Sequence, residues 1–184
     1  MKTFMVAVAL VASLSACATG DRFAEREATA KDVPIRFAHG QIRGDQVVYK
    51  AATDQRRGTN VRRATFVGDR GEFATFDLMG TLGDYAFSRR DTRQYVEGII
   101  KDDSQIEWGA SGDVHQGARQ TGYKAFRLRD DRQTCVGVQR SLAEHRESAP
   151  GDHSQLLLVG VYCRPGTEPI GSDEIRTMAN SLQA

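Results

Sequence analysis

Hydrophobic and polar positions divide the chain into an apolar leader, a polar stretch and a body of short strand-like runs that closes on a helix. The leader runs from Phe4 to Leu14 behind a single lysine, Lys2. At about eleven residues it is too short to cross a bilayer as a helix, which takes about 20. Ala18 to Asp32 is small and charged, with Phe23 its only large apolar residue, and reads as a tether. As a random chain it spans about 20 Å root-mean-square.

From residue 33 onward the apolar positions recur with strand-like spacing between glycine and aspartate turns. The runs are Pro34 to Ala38, Gln46 to Ala51, Asn60 to Val67, Glu72 to Leu78 and Asp84 to Ser88. Gly68-Asp69-Arg70-Gly71 is a good hairpin connection. Phe73 and Phe76 break strict alternation, which implies a bulge or burial on two sides. The period then changes. Asp91 followed by Gln94 resembles a capping box, and Tyr95/Ile99 and Val96/Ile100 form i, i+4 pairs, so Thr92 to Lys101 is expected to be helix. Ile106 to Trp108 reads as a short strand and the glycine-rich Gly109 to Gly117 as a loop. Strands are expected over Gly122 to Arg129, Thr134 to Leu142 and Leu156 to Tyr162, the last central and buried on both faces. The polar segment Glu144 to His153 is a loop. Ser172 is placed to cap a final helix, Asp173 to Leu182, with Ile175, Met178, Ala179 and Leu182 as its apolar stripe. This order predicts an α+β fold: one domain with a mainly antiparallel, twisted sheet and the C-terminal helix packed on one face.

Composition adds boundaries rather than a function. The chain has 184 residues, 40% hydrophobic and 27% charged, with net charge +1. It suits one globular domain with a real core. Near-neutral charge argues against a nucleic-acid partner. Arginine outnumbers lysine, and Arg56/Arg57, Arg62/Arg63 and Arg89/Arg90 are adjacent pairs. Strand alternation sends neighbours to opposite faces, so no basic patch is implied.

The layout of the N-terminus is that of an export signal, and Leu14-Ser15-Ala16-Cys17 resembles the bacterial lipobox. Membership of that lipoprotein class implies cleavage before Cys17, a diacylglycerol on its sulfur and often an acyl group on its new amine. The mature domain would then be a lipoprotein held on a cell-envelope membrane by two or three chains, since one acyl chain alone binds only marginally. Ala18, rather than an aspartate, follows the cysteine. The resemblance therefore favours the periplasmic face of the outer membrane. The competing reading is an ordinary secretory signal peptide cut near Ala16 or Ala18. The resulting organisation is a signal peptide over 1–16, the lipidated cysteine and tether over 17–32, and a globular domain over 33–184.

Using Cys17 as an anchor leaves an even pair, Cys135 and Cys163. In an exported protein the default for such a pair is a disulfide, with two buried free thiols as the alternative. The run Val159-Gly160-Val161-Tyr162-Cys163, then Pro165-Gly166 and a capped helix, is similar to the C-terminal part of small proteobacterial envelope proteins. That resemblance covers Cys135 to Leu182 and implies no activity.

Candidate chemistry is sparse. His39, His115, His145 and His153 lack metal-ligand spacing and read as solvated loop residues; no metal and no cofactor is expected. Ser111 in Trp108-Gly109-Ala110-Ser111-Gly112 lacks the glycine pattern and the strand-to-helix turn of a nucleophile elbow. Trp108, Tyr123 and Phe126 are either core or the contacts for a ligand or partner. The expected function is a non-enzymatic binding or structural module of the envelope, with the membrane, an envelope protein or peptidoglycan as partner. The alternatives are a carrier with an apolar cavity and a hydrolase whose site is assembled from distant residues.

Overall fold

The computed structural model describes residues 24–184 apart from 45, 55–57, 82–86, 89–90, 101–105, 130–131, 143–152 and 155. The leader, Cys17, Arg56, Arg57, Arg89, Arg90, His145 and most of the expected loop at 144–153 lie outside the described residues.

One antiparallel sheet of eight strands carries the domain, in the order β1-β2-β3-β4-β10-β8-β7-β6. The first meander is β1 (Ala24–Glu27), β2 (Val47–Asp54), β3 (Thr59–Val67) and β4 (Phe73–Thr81). A crossover holding β5 (Phe87–Ser88) and α1 (Thr92–Ile100) carries the chain to the far edge. There β6 (Ile106–Gln116), β7 (Arg119–Leu128) and β8 (Gln133–Leu142) return towards the middle. The short β9 (His153–Ser154) pairs with β5, and β10 (Leu156–Pro165) enters between β8 and β4. Helix α2 (Ser172–Ser181) ends the fold. The expected α+β class and the C-terminal helix on the sheet are both observed.

Both faces of the sheet are packed. On one face, α2 and the extended segment 33–42 cover Phe66, Phe76, Val136, Val138, Leu158 and Tyr162. On the other, α1 covers Phe126, Cys135, Val161 and Cys163 through Val96. Two-sided burial explains the irregular runs in the sequence. Phe76 belongs to the α2-side cluster while Phe73 packs on the α1-side one. Tyr123 and Phe126 on β7 divide the same way. β10, sandwiched between two strands and two layers, is accordingly apolar almost throughout.

Glycines set how closely the layers approach. A Cβ on Gly137 of β8 would fall inside Val96 Cγ2, so α1 sits directly on bare backbone. A Cβ on Gly160 would collide with Phe76 and with the Thr75 carbonyl of β4.

Four expectations need correcting. Residues 24–27, read as tether, form edge strand β1 on β2. Their polarity reflects an exposed edge. Pro34 to Ala38 is extended, with Val33, Ile35 and Phe37 buried, but it lies across the α2 face and pairs only through Arg36 with Gln183. Gly109 to Gln116, read as loop, continues β6 beyond a bulge at Gly109-Ala110. Ser172 is the first residue of α2, whose N-cap is Gly171 without a side-chain cap. By contrast, Asp91 caps α1 as its sequence predicts, its Oδ1 accepting from the Arg93 N–H at 3.0 Å.

Candidate functional site

Helix α1 spans β10, β8 and β7 but stops short of the first meander, and a groove opens beside it. Its floor comes from Ala52 on β2, Val61 on β3, Met79 on β4 and Val159 on β10. Its wall is Gln94, Tyr95, Gly98 and Ile99 of α1, and Glu25 of β1 and Lys50 of β2 stand at the far side. The volume is about 410 Å3, within the range of ordinary small-molecule sites. Strand alternation produces the floor, because these side chains occupy the same face of neighbouring strands in register, as Ala52↔Val61 and Val61↔Met79.

Two ion pairs border this apolar floor. Arg63 and Asp77 are directly opposed on β3 and β4 and form a fork, Nε to Oδ1 at 2.7 Å and the second guanidinium nitrogen to Oδ2 at 2.7 Å. Asp77 is 6% exposed. The hydrogen bond to Asp77 pushes Arg63 above its ordinary pKa, against the opposing effect of burial. At the rim, Lys50 Nζ lies 3.0 Å from Glu25 Oε2, both well exposed. Each cation in the groove thus has a carboxylate of its own.

A second cluster lies at the other end of the sheet, on the α2 face. His39 packs edge-on against Tyr162, with ring centroids 5.1 Å apart. Its Nε2 is 4.0 Å from Glu174 Oε1, which also holds Arg164 Nε at 3.0 Å. Glu72 accepts from the Gln41 N–H and from the Tyr162 hydroxyl. Burial lowers the His39 pKa, with Glu174 and Glu72 opposing it, and burial raises that of Tyr162. These contacts tie the turn His39–Ile42 to the sheet and to α2. They correct the expectation of a solvated His39. His115 is exposed on β6, and Ser111 lies within the same strand with no helix following it.

The sequence-selected aromatics do not share one pocket. Trp108 and Phe126 lie together on the α1 face, centroids 5.4 Å apart, and the Arg93 guanidinium sits 5.2 Å from the Trp108 ring. Tyr123 is on the opposite face, its ring over Gly112 of β6. Phe126 is 1% exposed and belongs to the core. None of the three lines the groove. Cys135 and Cys163 are joined as expected, directly opposed on β8 and β10 and fully buried. Among the described residues no group of three or more potential metal ligands converges, and no helix is long and apolar enough to cross a membrane.

The groove has no local sequence signature, because its lining is drawn from positions 25 to 159. Comparison with protein-family models, with curated proteins and with solved structures found no match to the chain.

Proposed function

We propose that the chain is a lipid-anchored protein of the bacterial cell envelope, tied through Cys17 to the periplasmic face of the outer membrane, and that its domain is a non-enzymatic binding module. The cysteine pattern carries this reading. Two cysteines are consumed in a buried disulfide, a bond that persists in oxidising compartments. The remaining one closes Leu14-Ser15-Ala16-Cys17 behind an export-type leader. The test is fractionation with intact-mass measurement of the wild-type chain and of Cys17→Ala. The wild type is expected in the membrane fraction with the added mass of lipid, and the variant unmodified and released or mislocalised. Unchanged retention and mass would overturn the anchor.

A second reading, a carrier of an apolar ligand, is favoured by the groove beside α1. Its apolar floor and internally paired charges suit a ligand that brings little charge of its own into the site.

A further inference from the structure

We propose that the groove between α1 and the first meander binds a single acyl chain of a membrane-derived amphiphile, with the polar head left at the Lys50–Glu25 rim. This deepens the carrier reading and rests on it. Three observations carry it.

The first is charge. Arg63 is locked to Asp77 by two 2.7 Å hydrogen bonds, and a second ion left deep in the groove would need a partner the site has already used. The body of the ligand is therefore uncharged. Lys50 differs, because its exposed pair with Glu25 is worth little and its ammonium can turn to a head group in water.

The second is shape at Gly98. A Cβ built there meets nothing within 4 Å. Gly98 is exposed and borders the groove at its rim, so the mouth beside it stays open and a larger side chain there would be tolerated by the fold.

The third is position. Glu25 lines the groove and follows Cys17 by eight residues. Even fully extended, that length reaches only about 28 Å. A chain anchored at Cys17 keeps this rim beside a bilayer, where acyl chains are the abundant apolar solute. Removing the apolar floor and an acyl chain from water together is favourable, so the chain rather than the head supplies the affinity.

The test uses the full chain carrying Cys17→Ala, which has no acyl group of its own, titrated with a fluorescent long-chain fatty acid. Saturable one-to-one binding is expected. Gly98→Trp and Ala52→Trp, which obstruct the groove from rim and floor, should each weaken it by at least about tenfold while thermal unfolding stays cooperative. No saturable binding, or binding unchanged in both folded variants, overturns the proposal. Binding by a chain whose wild-type form carries no lipid mass at Cys17 upholds the groove and overturns the anchor.

Discussion

Arg140 would pass for a surface residue in the sequence, two positions before the end of a strand. In the fold it is 3% exposed. Its Nε donates to Thr121 Oγ1 at 2.7 Å, and its two terminal nitrogens donate to the carbonyls of Leu182 and Ala179 at 2.9 and 2.6 Å. The last carbonyls of a helix lack partners within it and carry partial negative charge. A guanidinium fork from β8 therefore closes the C-terminal end of α2. Burial lowers its pKa, and Arg119 nearby adds to the effect. Arg140→Met keeps much of the apolar stem but strands two buried carbonyls and a hydroxyl. It is expected to cost about 3 kcal/mol, read as a lower urea midpoint with an unchanged slope. At the opposite end of the same helix, His39 makes one acid-sensitive contribution. Its native pKa lies below the ordinary 6.5 because burial disfavours the cation. The unfolded chain therefore takes up the proton first. The contribution of His39 is complete above pH 6.5 and is lost as pH falls below that value towards the depressed native one. Unfolding free energies at pH 7.5 and 5.5 should differ less in His39→Phe than in the wild type; an equal difference would remove His39 as the cause.

At the scale of elements, the runs with a buried partner on a known side were the legible ones. Ile175, Met178, Ala179 and Leu182 are all buried, as their spacing predicts, because a helix on a sheet needs one continuous stripe. The hairpin at Gly68–Gly71 was legible for the same local reason, with Gly71 at φ +83 and the Gly68 N–H donating to the Glu72 carbonyl at 2.8 Å. Gly109 to Gln116 was not legible. It is an edge strand, paired only with β7 among the described strands and largely exposed, so few of its positions select apolar residues, Val114 against the α2-side core being one. The segment 33–42 has the period of a strand because alternate side chains are buried, yet its backbone joins no ladder. The site was the least legible part: the groove exists only once α1 and five strands are assembled. The seating of α1 is testable. Gly137→Ala should destabilise by about 1–3 kcal/mol through its collision with Val96. Adding Val96→Ala should recover part of that loss, giving a coupling energy of opposite sign in a double-mutant cycle. Strictly additive losses would mean that α1 does not rest on Gly137.

For the whole molecule, the backbone ladders of the two meanders are joined, among the described strands, through β10, which pairs with β4 on one side and β8 on the other. The Cys135–Cys163 bond fixes one of those two seams from within the α1-side core. Closing a loop of this length restricts the unfolded chain by about 3.5 kcal/mol. Cys135→Ala with Cys163→Ala should lower stability by that order while leaving the far-ultraviolet spectrum of the folded state unchanged. Loss of less than about 1 kcal/mol would assign the bond a negligible part in stability. Because both sulfurs are fully buried, a mild reductant should cleave the bond only at the rate at which the domain opens.

The late position of β10 has a consequence for the order of assembly. It is the last of the described strands in sequence, and it must slot between β8, made shortly before it, and β4, made before the whole second meander. Until residues 156–165 arrive, β4 and β8 each present an unpaired row of backbone donors and acceptors. A nascent chain can form hairpins, but it cannot complete its central sheet before β10 is available. Such long-range pairing is intrinsically slow. Under the export proposed above, in which the chain threads a translocation channel before it folds, that delay is an asset: the sheet is assembled from both halves only after β10 has crossed.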